Sequence, residues 1–195
     1  MEMGTVRRVR PVSPCVFFDL RGTLGDPPGG DIADFVLYPR AVDALRLLSA
    51  HGVAVAIVTN QSGVAKGRMS LCQCEGHAAR LLSELKSKGC SVGGLYICPH
   101  RRADDCGCKK PLPALARRAA EELGVDPSYV VGDVGLNDIL LARNIGAKGI
   151  LVRTGFGERN LGEFRHTWAD YEADFIAADA LDAVRWILVD LGVAM

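Results

Sequence analysis

No stretch of the chain approaches the ~18 consecutive apolar residues that a membrane-spanning helix needs, and residues 1–14 lack the apolar centre of a secretory leader. Neither sign of charge is in excess: 23 Lys and Arg stand against 23 Asp and Glu, a formal net charge of zero. No overall field therefore draws in nucleic acid or an anionic membrane, and a small molecule is the expected partner. An even cysteine framework is missing too. The count is seven, with three of them and His100 between residues 98 and 108, which suits metal ligation in a reducing compartment better than disulfides. There is no internal repeat, no low-complexity tract, and no heptad run that would specify a large assembly. His51, His77 and His166 lie in polar or helical surroundings, and Ser62 pairs with none of them, so a Ser-His-Asp hydrolase is not indicated. What remains is a cytoplasmic chain, a monomer or small homo-oligomer, with a flexible tail over residues 1–14 and one domain over residues 15–195.

Within that domain, short apolar runs alternate with stretches of helical period, the pattern of an α/β fold with a parallel sheet. Strands are expected at residues 15–18, 53–58, 95–98, 129–131, 149–152 and 174–177. Asp174 apart, each is continuously apolar, as strands covered on both faces are. Helices are expected at residues 40–50, 71–88, 113–123, 136–144 and 181–191, the second capped by Ser70. Gly52, Gly89, Gly124, Gly146 and Gly192 follow these helices at positions where a left-handed residue stops them. The Gly/Pro-rich patch at residues 25–30 is read as a loop.

Ligands of open parallel sheets collect beyond the carboxyl ends of the strands. The first strand ends in Asp19, the second in Thr59 and Asn60, the third connection carries Lys110, and the fourth strand ends in Gly132-Asp133 with Asp138 five residues on. A hydroxyl and loop amides can cradle a phosphoryl group, a lysine can neutralise it, and carboxylates can hold Mg²⁺. Separately, Cys98-x-His100 and Cys106-x-Cys108 place four zinc-type ligands within eleven residues, enough to close a tetrahedral structural site immediately before Lys109-Lys110. Cys72 and Cys74 are two apart on a helix and cannot chelate together; with Cys15 and Cys90 they are read as packing residues.

Asp19-x-x-Gly22-Thr23, Thr59, Lys110 and Gly132-Asp133-x-x-x-x-Asp138 together resemble the four motifs of the haloacid dehalogenase (HAD) superfamily. The run from Thr59 through Gly63 to Gly67, with Cys98-Pro99-His100 and Cys106-Gly107-Cys108-Lys109-Lys110-Pro111, resembles more narrowly the D-glycero-D-manno-heptose 1,7-bisphosphate phosphatases and the related histidinol-phosphate phosphatases. The resemblance implies a Rossmann-like HAD fold, with helices on both faces of a mostly parallel sheet, a minimal cap and a zinc-binding loop. It implies a Mg²⁺-dependent phosphatase of a small phosphorylated metabolite, a heptose bisphosphate foremost, with Asp19 as the nucleophile that carries the phosphoryl group. Mg²⁺ would be held by Asp19, Asp133 and the backbone carbonyl of Arg21, supported by Asp138. Phosphate would be held by Thr59, the backbone amides of Leu20 and Asn60, and Lys110 beside Lys109.

The chain departs from this pattern at Arg21, where the resemblance calls for a second Asp acting as acid and base. A guanidinium cannot take a proton from water near neutral pH. Three readings stay open: a slow phosphatase using solvent, an impaired relative that binds a phosphometabolite or a protein without turnover, or a site in which Arg21 meets a second anion of the substrate.

Overall fold

The computed structural model describes residues 13–193. Its elements, in chain order, are β1 (Ser13–Phe18), β2 (Gly25–Asp26), β3 (Val36–Leu37), α1 (Pro39–Ala50), β4 (Ala54–Asn60), α2 (Leu71–Ser87), β5 (Gly94–Cys98), α3 (Ala114–Leu123), β6 (Val125–Gly132), α4 (Gly135–Ile145), β7 (Lys148–Val152), α5 (Gly157–Leu161), β8 (Phe175–Ala177) and α6 (Ala180–Asp190). Six strands form one sheet in the order β5-β4-β1-β6-β7-β8, with every pair parallel. The chain winds outward from β1 in both directions, so the crevice at the carboxyl ends of β1, β4 and β6 is the switch point where α/β sheets bind ligands.

The apolar strands are covered on both sides because alternate residues feed two cores. Val16 and Phe18 of β1 join Val55, Ile57 and Val131 under α1, α2 and α6. Cys15 and Phe17 face the other way, joining Ala56, Val58 and Val130 under α3 and α4. Phe17 and Phe18 are fully buried, each worth about 2 kcal/mol in area removed from water. A central strand of this kind holds its end, and therefore Asp19, rigidly.

All six expected strands and five expected helices form. The five expected helix-stopping glycines have φ between 64° and 79°, and Ser70 caps α2 through a reciprocal pair: its hydroxyl accepts from Gln73 N at 3.2 Å and its N–H donates to Gln73 Oε1 at 2.8 Å. Several boundaries differ. β1 begins at Ser13, so the tail expected over residues 1–14 yields its last two residues to the sheet; residues 1–12 lie outside the described residues. β6 is extended backwards to Val125 because it pairs along β1 from Ser13 onward. The Gly/Pro-rich patch contains the start of a small antiparallel hairpin, β2 against β3. That hairpin and one 3₁₀ turn are all that separate Asp19 from α1, so no cap domain is inserted there. Cys15, Cys74 and Cys90 are buried as expected, but Cys72 is exposed, because it lies on the solvent side of the first turn of α2. No helix among the described residues is long and apolar enough to cross a membrane.

Candidate active site

The ends of β1, β4 and β6 and the loop after β5 converge on one cleft of about 210 Å³. Asp19 is fixed at the end of β1 by its own N–H, which donates to Val131 O of β6 at 2.9 Å. Lys110 is 3% exposed, and its Nζ donates to Asp19 Oδ1 at 2.5 Å and to Asp138 Oδ1 at 2.7 Å. The backbone of Lys110 is held in turn by Asn60 at the end of β4. Asn60 Nδ2 donates to Lys110 O at 3.2 Å, and Lys110 N donates to Asn60 Oδ1 at 3.0 Å. Asp138, on the first turn of α4, also accepts from Val134 N at 3.1 Å. Asp133 accepts from Phe156 N at 2.8 Å and lies 3.5 Å from the Thr23 hydroxyl.

Asp19, Asp133 and Asp138 each bring an oxygen within 4.8 Å of the others. The approach depends on missing side chains. Gly22 has φ +84°, and a Cβ on it would stand 2.1 Å from Asp133 Oδ2. A Cβ on Gly132 would stand 2.2 Å from the Asp138 carboxylate.

Three carboxylates against one ammonium leave this cluster short of positive charge. Burial, aggravated by the charges of Asp19 and Asp138, raises the Asp133 carboxyl well above the usual carboxylate range. Burial also raises Asp138, to about 6, with Lys110 pulling against it. Burial works against the charge of Lys110 as well, but Asp138 and Asp19 overcome it and push the ammonium above its ordinary range. Oxygen donors from three converging carboxylates, with a deficit of positive charge among them, suit a hard divalent cation.

Thr59 lies in the cleft with its hydroxyl accepting from Gln61 Nε2 at 3.1 Å. The side chain of Leu20 is fully buried in the core, so only its backbone is available to a ligand. Lys109, expected beside Lys110 at the phosphate, does not line the cleft. Its Nζ donates to Ser62 Oγ at 2.7 Å and to His100 O at 3.1 Å, tying the cysteine-rich loop to the loop after β4. Arg21 does line the cleft, and its side chain reaches the turn after β2, where Nη1 donates to the carbonyl of Asp31. Phe156 and Asn137 also line it, although no strand-end motif marks them; Phe156 is recognisable only by following β7 to its loop.

Cys98, His100, Cys106 and Cys108 form a second cluster within 4.8 Å. Sulfur separations are 3.7 Å for Cys98–Cys106, 3.4 Å for Cys98–Cys108 and 3.4 Å for Cys106–Cys108, and His100 Nδ1 lies 3.3 Å from Cys108 Sγ and 3.8 Å from Cys98 Sγ. A tetrahedron with arms of about 2.3 Å has edges close to these values. Burial raises the Cys98 thiol to about 12. For Cys106 burial is outweighed by the amides of Cys108 and Lys109 and by the neighbouring thiols, which bring it down to about 7. The cluster adjoins the buried lysine, with one peptide link between Cys108 and Lys109 and one more to Lys110.

Comparison with known proteins agrees with this geometry. A HAD-hydrolase-like family model matches residues 107–183. The chain is 39% identical over 132 residues to the D-glycero-beta-D-manno-heptose-1,7-bisphosphate 7-phosphatase of Pseudomonas putida, a match covering 67% of this chain and 75% of that protein. It is 35% identical over 155 residues to the protein of that name from Escherichia coli K12, covering 73% and 80%. A crystal structure of D,D-heptose 1,7-bisphosphate phosphatase from B. bronchiseptica, complexed with magnesium and phosphate, superposes with a TM-score of 0.79 at 25% identity, over 91% of this chain and 99% of that one. With this sheet order, these strand-end carboxylates and these relatives, the chain belongs to the HAD superfamily of phosphatases, in the heptose-bisphosphate phosphatase group.

Proposed function

We propose that the chain is a phosphoric monoester hydrolase that uses Mg²⁺ and acts on a small phosphorylated sugar of the heptose 1,7-bisphosphate type. The observation that carries the reading is the Lys110 ammonium held between Asp19 and Asp138 at 2.5 and 2.7 Å. A buried lysine so placed keeps the free oxygen of Asp19 aimed into the cleft and offers its charge to an incoming phosphoryl group. Asp19 attacks phosphorus, the bond to the leaving oxygen breaks, and that oxygen takes a proton from water. The resulting aspartyl-phosphate is then hydrolysed, returning the Asp19 carboxylate and inorganic phosphate. Thr59 and the amides after β1 and β4 hold the phosphoryl oxygens. Mg²⁺, held by Asp19 and Asp133 with Asp138 in support and the Arg21 carbonyl beside them, would neutralise charge on the phosphoryl group. Zn²⁺ in the Cys98-His100-Cys106-Cys108 cluster would order the loop that presents Lys110.

Incubating the protein with a panel of sugar phosphates, with and without Mg²⁺, while following free phosphate tests this directly. Metal-dependent release that Asp19→Asn reduces by about 10³-fold or more supports the reading. Silence across the panel, with ligand still bound, supports the alternative that Arg21 suggests: a member of the fold that binds a phosphometabolite without turning it over.

A further inference from the structure

Four cations line the cleft, and they are not equally matched. Lys110 is paired with Asp19 and Asp138, and Arg68 is paired with the Asp31 carboxylate at 3.0 Å. Arg21 and Lys66 form no ion pair among the described residues. Arg21 is the more unusual of the two, being only 6% exposed. Its acidic neighbour Asp31 gives its carboxylate to Arg68 and only its carbonyl to Arg21. Nε and Nη2 of Arg21 are left without any hydrogen-bond partner. Orphaned N–H groups on a buried guanidinium cost considerably more than those of an exposed one, so such an arrangement points to an acceptor brought by a ligand.

The surrounding backbone is shaped to the guanidinium. A Cβ on Gly30 would stand 2.3 Å from Arg21 Nη2, so the bare backbone of that turn is what allows the planar group to lie there. The direction of the side chain matters as much. Arg21 leaves the chain two residues after Asp19, yet its head reaches the turn at Gly30 and Asp31, whereas Lys110 lies between Asp19 and Asp138. A phosphoryl group on Asp19 is served by Lys110 and Thr59, and Arg21 borders the same cleft at another part of its wall, beside Gly29 and Gly30.

We infer that Arg21 recognises a second anionic group, a phosphate or carboxylate carried on the leaving portion of the substrate, so that the cleft selects doubly anionic phosphomonoesters over singly anionic ones. The inference rests on the phosphatase reading and deepens it by naming the substrate feature that Arg21 selects. A guanidinium with two free donors on one edge suits a two-oxygen acceptor, and Lys66 on the same cleft adds charge of the same sign.

Calorimetric titration of the full chain carrying Asp19→Asn, in Mg²⁺, avoids turnover. The probes are inorganic phosphate and two matched pairs: 2-phosphoglycolate against ethyl phosphate, and fructose 1,6-bisphosphate against fructose 6-phosphate. In at least one pair the doubly anionic member is expected to bind tenfold or more tightly. Adding Arg21→Met should bring that ratio to within threefold of unity. Adding Gly30→Ala, which keeps every charge but displaces the guanidinium, should lower it in the same direction. Ratios near unity in both pairs before Arg21 is altered, or a ratio that survives Arg21→Met, would overturn the inference while leaving the phosphatase reading intact. So would Arg21→Met weakening inorganic phosphate as much as the doubly anionic probe, because Arg21 would then serve the transferred group itself. Absence of Mg²⁺-dependent inorganic phosphate binding by the unaltered chain, which keeps the Asp19 carboxylate, would overturn the phosphatase reading and this inference together.

Discussion

Asn60 grips the main chain of Lys110 from both sides, its carboxamide donating to the lysine carbonyl at 3.2 Å and accepting from the lysine N–H at 3.0 Å. The ammonium is therefore positioned by a residue fifty positions earlier, at the end of the strand that also supplies Thr59. Asn60→Ala removes both bonds, at about 1 kcal/mol each, and lets the lysine backbone drift. Phosphate release is expected to fall roughly 10- to 100-fold in kcat with a smaller change in KM. Steady-state kinetics check this; a change confined to KM would show that Asn60 acts on ligand binding instead.

Residue 21 should govern turnover as well as selection. General acid or base assistance is typically worth about 10²- to 10⁴-fold, and arginine supplies none. Arg21→Asp is expected to raise phosphate release from a simple sugar monophosphate by at least tenfold. An unchanged or slower rate would mean that proton transfer is not what limits this chain.

The cysteine and histidine cluster should hold zinc in the protein as purified. Elemental analysis is expected to find about one zinc per chain, and Cys106→Ser should lose it. Because Lys109 ties that loop to Ser62 and His100, loss of the ion should lower both the melting temperature and the rate of phosphate release. Restoration by Zn²⁺ but not by Mg²⁺ would separate the two metal sites.

A pH dependence is expected at the start of α6. Asp179 Oδ1 accepts from Leu181 N at 2.9 Å and Asp182 N at 3.0 Å, and the carboxylate meets Arg40. Burial works against its charge, but the Arg40 bond and the two amides hold its pKa below the usual 3.8. A carboxyl depressed on folding adds stability in full above its unfolded pKa and loses it as pH falls through the folded one. Asp179→Ala should therefore cost about 1 kcal/mol at pH 7, and the gap should close as pH drops below about 4. Urea unfolding at pH 7 and pH 3 measures both ends, and Asp179→Asn should retain most of the cap.

The layout of the sheet was readable in advance because its strands are buried on both faces and so stand out as unbroken apolar runs; Val16-Phe17-Phe18 needs no partner to be recognised. Asp19, Thr59 and Asp133 were readable because each lies at the end of such a run, whereas Lys110 comes twelve residues after β5 and Asp138 lies on the first turn of α4, and these two are marked only by their spacing within the motifs. The β2–β3 hairpin was not, since two-residue strands carry no periodicity. The partners of Arg21, Lys109 and the Asn60 side chain were not either. Each is set by a loop that folds back from elsewhere in the chain, and no spacing rule encodes which carbonyl or hydroxyl lies opposite. Cys72 was misplaced for a related reason: one turn at a helix start presents residues to core and solvent alike, and only the packed neighbour decides.

The strand that leads into Asp19 sits in the middle of the sheet, clasped between β4 and β6 and sealed above and below by two layers of helix. Amide exchange in β1 should thus be among the slowest in the molecule, reporting only complete opening. Heat or solvent insufficient to melt the whole should silence the enzyme through its recognition loops first, and that early inactivation should reverse on cooling.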